Sequence, residues 1–251
     1  MSRPGKRFER PGPDTHGFID RQSAGIALAR VLLSLKLPEP ICVLGLPRGG
    51  VPVAYEVART LGAKLDVMVV RKICAPCEPE VAIGAIAPGG IVEPQPAAEP
   101  LLQAFEVTFA QLARAEHKEL EQRERVYHAS APSLSLAGHT VILVDEGLAT
   151  GCRMLAAERA ARRAGATRVV AAAPIASHDA AMRVRPEVDD LVILETVQQL
   201  FAIGDSYAHL PPVDDAEILA LLERARQEPV RAGGNAPLPH SPRASSCAAR
   251  A

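Results

Sequence analysis

The sequence contains no tryptophan and few other aromatics, which make up only 3% of its 251 residues. So few stacking surfaces weaken any case for base-reading RNA recognition. Charge of one sign is missing too: 28 Lys and Arg stand against 29 Asp and Glu, a formal net charge of −1. That balance offers no global attraction to nucleic acid or to an anionic membrane surface. No apolar run is long enough to span a bilayer, and the first residues lack the apolar core of a secretion signal. The expected location is cytoplasmic. Cysteines are few and odd in number (Cys42, Cys74, Cys77, Cys152 and Cys247), which argues against a disulfide framework. Cys74 and Cys77 have the spacing of a redox dithiol or half a zinc site. No second pair completes a zinc site, and Glu78-Pro79 follows where a thioredoxin-like motif would start a helix. A chance pair in a loop is the favoured reading.

What remains is a long middle section of alternating apolar and helical patterns between two poor ends. Residues 1–17 are rich in Arg, Pro and Gly, residues 229–251 in Pro, Ser, Ala and Arg, and both read as disordered. One α/β domain over 18–228 is expected between them. Asp20 is a plausible cap for a helix through Lys36, with Ala24, Leu28, Val31, Leu32 and Leu35 on its buried face. Ile41 to Leu46 reads as a buried strand, followed by a Pro-Arg-Gly-Gly turn and a helix through Leu61. A second strand, 65–70, ends in Arg71-Lys72, so this part has the pattern of a parallel crossover. A hairpin turning at Pro88-Gly89-Gly90 follows. Residues 98–128 read as one long charged helix, with Leu101, Phe105, Phe109, Leu112 and Leu120 as buried candidates. Strand 140–144, helix 152–164, strand 168–173, helix 177–184, strand 191–195 and helix 214–227 complete an α/β succession.

The most informative stretch is Val141-Ile142-Leu143-Val144-Asp145-Glu146-Gly147-Leu148-Ala149-Thr150-Gly151. A buried strand runs into two adjacent carboxylates, a short turn and a helix start. In an open α/β sheet, ligands bind just beyond the carboxyl ends of the strands, and a helix N-terminus is a natural seat for phosphate. Carboxylates beside a phosphate seat point to a ribose phosphate. The P-loop lysine and the spaced glycines of a dinucleotide fingerprint are absent.

This segment resembles the phosphoribosyl-pyrophosphate (PRPP) motif of type I phosphoribosyltransferases. From about Phe18 to Leu222 the chain resembles bacterial phosphoribosyltransferase domain proteins, through FIDRQSAGIALA, LPRGGVPVAYEVA, LDVMVVRK, PEVAIGAI and FAIGDSY. The resemblance implies a central parallel sheet flanked by helices, with a small hood from the N- and C-terminal segments. It also implies a homodimer and Mg²⁺-dependent transfer of ribose 5-phosphate from PRPP to a small-molecule acceptor, such as a nucleobase. No nucleic-acid or membrane partner is expected. By family position, Asp145 and Glu146 accept hydrogen bonds from the ribose hydroxyls and favour the developing ring cation. Ala149, Thr150, Gly151, Cys152 and Arg153 wrap the 5′-phosphate, largely through backbone N–H groups. A Thr or Ser normally stands where Arg153 is, which leaves two readings open: a charged donor to the phosphate, or a side chain facing solvent. Arg48, Gly49 and Gly50 form the pyrophosphate loop, Arg48 supplying charge as pyrophosphate leaves, with a non-proline cis peptide expected at Pro47-Arg48. Arg71 and Lys72 are further pyrophosphate candidates, and 73–84 corresponds to a mobile closing loop. Mg²⁺ is expected to arrive with PRPP, with no dedicated protein ligands.

Asp20, Arg21, Gly25 and Tyr207 are recurring family positions without a derivable chemical role. Asp20 reads as a helix cap, and Tyr207 as packing in the hood or as a cover for the acceptor. Ala149 stands where enzymes of 6-oxopurine salvage place an Asp, which argues against hypoxanthine and guanine. The Leu-Ala-Thr-Gly wording is closer to uracil enzymes, which carry Asp-Pro in place of Asp145-Glu146. Three functions stay open: an active transferase, which is favoured, a PRPP- or nucleotide-sensing regulator, and a hydrolase of a related ribose phosphate.

Overall fold

The computed structural model describes residues 17–76, 78–95 and 98–228; both expected disordered ends lie essentially outside these residues, as does Cys77. Five parallel strands form the central sheet: β1 (Ile41–Gly45), β2 (Lys64–Val67), β6 (Thr140–Val144), β7 (Arg168–Ser177) and β8 (Asp190–Val197), in the order β2-β1-β6-β7-β8. The period of two sorts their side chains into two cores. Val43, Ile142, Val144 and Val170 face α1 (Arg21–Ser34), α2 (Gly50–Leu61) and α7 (Asp215–Gln227), where they meet Leu28, Val53 and Ile218. Cys42, Leu44, Val141, Leu143 and Val169 face α5 (Cys152–Arg163) and α6 (His178–Val184), where they meet Leu155, Ala156 and Val184. All five residues of β6 are buried, which is why that segment reads as an unbroken apolar run.

Asp20 caps α1 in a capping box with Ser23, as its sequence suggests. The helix ends at Ser34, short of Lys36, and Leu35 is exposed. Gly25 sits where α1 crosses α2; a Cβ there would stand 2.8 Å from the Val53 carbonyl oxygen. The second strand is shorter than expected. After Val67 the chain leaves the parallel sheet, and Arg71 opens a second, antiparallel one: β3 (Arg71–Ala75), β4 (Glu78–Ala87) and β5 (Ile91–Pro94). The hairpin at Pro88-Gly89-Gly90 forms where expected.

The single helix expected over 98–128 is two, α3 (Glu99–Ala104) and α4 (Phe109–Tyr127). Glu106 takes a left-handed φ of 51°, and Thr108 then starts α4 with a capping box to Gln111. The signal, Thr-x-x-Gln before an apolar position, is a helix start and overrides the continuous charge pattern. Leu120 is buried and Phe109 and Leu112 pack partly against the core, whereas Phe105 is exposed; the Leu101 side chain lies outside what is described. The N- and C-terminal segments form the hood. Phe18 pairs with Tyr207, its N–H donating to the Ser206 carbonyl at 3.0 Å and its carbonyl accepting from Ala208 at 2.8 Å. No helix among the described residues is long and apolar enough to cross a membrane.

Where α4 ends, His128 is pinned to the edge strand. Nε2 lies 3.2 Å from Asp66 Oδ1 and Nδ1 3.1 Å from the Glu124 carbonyl oxygen. Two acceptors call for two N–H groups, which only the imidazolium has. The hydrogen bond to Asp66 accordingly raises the His128 pKa, against the opposing effect of burial. A raised histidine pKa stabilises the fold fully below the ordinary value and loses that contribution as pH rises through the folded one. His128→Asn is therefore expected to lower stability by about 1 kcal/mol more around pH 5.5 than around pH 8.5. Thermal melts of both proteins at the two pH values check this; an equal gap at both would show that the contact carries no charge.

Candidate active site

The strand order reverses direction at β1 and β6, because β2 lies on one side of β1 while the chain continues to β7 and β8 on the other. Such a switch point opens a crevice at the carboxyl ends of the two central strands. The loops 46–50 and 145–151 leave from those ends and lie side by side. The Leu46 N–H donates to the Val144 carbonyl at 2.8 Å. Gly49 and Gly50 allow the approach: a Cβ on Gly49 would collide with the Glu146 carboxylate, and one on Gly50 would stand 2.6 Å from the Val144 carbonyl oxygen. The peptide Pro47-Arg48 is cis, at the place that the resemblance implies.

Both loops end in helices left open at their N-termini. α1, α4, α6 and α7 are each capped by a side-chain oxygen, from Asp20, Thr108, Ser177 and Asp214. The N-cap residues of α2 and α5 are Gly49 and Gly151, and neither supplies one. Among the described residues, the N–H groups of Arg48, Gly49, Ala149, Thr150 and Gly151 have no hydrogen-bond partner. Gly151 takes φ 76°, a conformation that glycine adopts without penalty. The result is two helix starts, each with unpaired donors and the positive end of a helix dipole, a combination that suits them as seats for anions.

Between the seats lie the two carboxylates. Asp145 is 2% exposed, and burial pushes its pKa up to about 6, with Arg153 opposing the rise and Glu146 adding to it. Its Oδ1 accepts from the Glu146 N–H at 2.9 Å. Glu146 pairs with Arg21 Nε at 2.6 Å, and its backbone carbonyl accepts from the Tyr207 hydroxyl, also at 2.6 Å. Arg21 donates further to the Pro211 carbonyl at 2.6 Å. Two positions that had no chemical role in the sequence thus join the hood to the acid pair. Tyr207 is buried, its ring 5.6 Å from that of Phe18: it packs the hood.

The other expected site residues divide. Arg48 is exposed at the rim of its loop, while Pro47 and Gly49 are buried. The Arg153 side chain is neither solvent-facing nor on the phosphate seat; it reaches back to Asp145 and to the Pro47 carbonyl. The Cys152 thiol points away from the seat, to Gln95 Oε1 at 2.9 Å, so only its backbone is available to a ligand. Arg71 and Lys72 open β3 rather than closing β2; Arg71 is paired with Glu116 of α4 at 2.6 Å, and Lys72 is exposed. The expected loop over 73–84 is mostly strand, β3 and β4.

One set of residues escaped the sequence reading. Arg183 of α6 donates to Glu93 at 2.7 Å, to Gln95 at 2.6 Å and to the Cys152 sulfur at 3.0 Å. Arg159 of α5 lies 2.7 Å from the other oxygen of buried Glu93, as an ion pair without hydrogen-bond alignment. These contacts fasten the antiparallel sheet to the 149–153 loop. In sequence they are isolated charges on short helices, indistinguishable from a solvated face.

The model of the phosphoribosyl transferase domain family matches residues 22–208, which takes in both anion loops and the acid pair. A Mycobacterium tuberculosis H37Rv protein, named provisionally as a phosphoribosyl transferase, is 38% identical over 219 residues, 86% of this chain and 48% of its own length. The same figures hold for its counterpart in strain CDC 1551, so the chain spans about half the length of these curated relatives. The crystal structure of TT1426 from Thermus thermophilus is 38% identical, covers 82% of this chain and 98% of its own, and superposes with a TM-score of 0.67. The family match spans both loops of the switch-point crevice, and the chain belongs to the phosphoribosyl transferase domain family.

Proposed function

We propose that the protein is a phosphoribosyltransferase that takes Mg²⁺–PRPP as donor and transfers ribose 5-phosphate to a nucleobase or similar nitrogen acceptor, releasing pyrophosphate. The observation that carries this reading is the pair of uncapped helix N-termini, α2 and α5, flanking two adjacent carboxylates at the β1/β6 switch point. Two anion seats around a hydroxyl-binding acid pair match a ligand with a phosphate at one end, a diphosphate at the other and a ribose between them.

In this reading the open N–H groups of 149–151 hold the 5′-phosphate, and the open N–H groups of Arg48 and Gly49, with the Arg48 side chain, hold the pyrophosphate. The Gly50 N–H, expected to join them, is bonded to the Leu46 carbonyl at 3.1 Å, so Gly50 gives only room for the approach. Asp145 and Glu146 accept from the ribose hydroxyls. As the bond from the sugar to pyrophosphate lengthens, positive charge develops on the ring, and the two carboxylates favour it. Arg48, exposed and close by, offsets negative charge on the leaving group. Among the described residues no three His, Cys, Asp or Glu side chains gather as a metal cage, and both site carboxylates already face guanidinium groups. This donor set fits Mg²⁺ brought in on the phosphate oxygens of the substrate, where it screens their charge. Ala149, in place of an aspartate, favours an acceptor other than a 6-oxopurine.

Calorimetry of PRPP with and without Mg²⁺, followed by acceptor screening through pyrophosphate release, tests the proposal. Mg²⁺-dependent binding with turnover supports it; binding without turnover on any acceptor supports a sensing protein, and no binding removes the donor assignment. Asp145→Asn combined with Glu146→Gln is expected to reduce turnover at least about a hundredfold with the fold intact by circular dichroism; unchanged turnover would sink the ribose assignment. Arg48→Ala should weaken pyrophosphate by about tenfold and ribose 5-phosphate hardly at all, and equal losses would count against its contact. The raised Asp145 pKa also sets a pH window. The carboxylate form is the acceptor of hydroxyl hydrogen bonds, so kcat/KM should fall as pH drops through about 6, and a profile flat to pH 4.5 or so would contradict this.

A further inference from the structure

Arg153 lies in the phosphate-loop sequence but its guanidinium belongs to neither anion seat. From the first turn of α5 it extends between the two loops, with Nη1 3.1 Å from Asp145 Oδ2 and 3.4 Å from Oδ1. Nη2 donates to the Pro47 carbonyl at 2.6 Å. One planar fork therefore ties the ribose acid at the end of β6 to the pyrophosphate loop at the end of β1. A lysine has the charge but not the fork, and a threonine has neither. The other charged and titratable groups around Asp145 are already engaged: Glu146 with Arg21, and the Tyr207 hydroxyl with the Glu146 carbonyl. Arg48, on the same loop as Pro47, is exposed. Asp145 is buried enough that an unpaired charge there would be expensive, so the guanidinium holds the carboxylate in place while it fixes the loop.

We propose that Arg153 is a positioning residue that locks the 46–50 loop against Asp145, so that the pyrophosphate subsite depends on a side chain carried by the 5′-phosphate loop. The inference rests on the donor reading above. It predicts an effect at the distant seat rather than the near one. An arginine acting as a phosphate ligand would do the reverse.

The test uses the full chain and two half-ligands, ribose 5-phosphate and Mg²⁺–pyrophosphate, measured by calorimetry on wild type, Arg153→Met and Arg153→Lys. Carbon-13 NMR of the Asp145 carboxyl, without ligand, gives its titration in each protein. Arg153→Met should weaken pyrophosphate by about tenfold and ribose 5-phosphate by less than about threefold. It should also move the Asp145 midpoint up by at least about one unit, because the opposite charge is lost. Arg153→Lys, which keeps charge and bulk, should leave that midpoint near wild type while still weakening pyrophosphate, because a single ammonium does not span both acceptors. The Lys variant keeps the proposal open to refutation if the Met variant does not fold. Loss falling mainly on ribose 5-phosphate, or an Asp145 midpoint unmoved in Arg153→Met, would overturn it. Wild type binding neither half-ligand would refute the donor reading instead, while the ligand-free titration still decides whether the guanidinium faces Asp145.

Discussion

Everything at the site depends on the parallel pairing of β1 with β6. The register Gly45↔Val144 brings the ends of the two strands level, and the Leu46 N–H extends the ladder by one more bond to Val144. Both strands end at the same height, so the loops that follow share one crevice and the helices that follow point their N-termini into it. Register is itself held by packing, because alternate residues of both strands fill different cores. A slip of β1 by one residue would put Val43 among α5 side chains and Cys42 and Leu44 among those of α1 and α2, breaking both layers at once. The chemistry is thus held by apolar burial some distance below it.

A crevice of this kind carries an electrostatic burden. Helix N-termini without side-chain caps leave donors unmet, and adjacent carboxylates at a buried strand end repel each other and lose solvation. The molecule answers with arginines from separate elements. Arg21 comes from the start of α1 to Glu146, and Arg153 from α5 to Asp145. Each guanidinium also meets a carbonyl of a loop that has to be placed, Pro211 and Pro47 respectively. Balancing charge and positioning backbone are done by the same side chains. Arg183 and Arg159 repeat the arrangement at the back of the 149–153 loop, with Glu93 as the shared acid.

The alternation of strands and helices, the acid pair and the two glycine turns were legible in the sequence, because each rests on local pattern: apolar runs, adjacent carboxylates, a glycine before a helix. The central parallel sheet came only from the family resemblance. The break between α3 and α4 was also written there, in Thr108 and Gln111, but a strong charge period over the same stretch masked it. Lys72 and Arg71 misled for a different reason. The apolar run through Val70 gives no local sign that the chain leaves one sheet at Val67 and enters another at Arg71; the departure is decided by which neighbouring strand edge is free to pair.

By itself, then, the sequence determined the order of strands and helices, the place of the carboxylates at a strand end and the glycines that let two loops approach. These follow from periodicity and backbone sterics, which act over a few residues. Only the tertiary structure decided the partners of the arginines. Arg21 lies 125 positions from Glu146 and Arg153 lies 106 from Pro47, and a long flexible side chain carries no local preference for one anion over another. Its partner is set by which loops the sheet brings within reach, and that is settled only once β1 and β6 have paired.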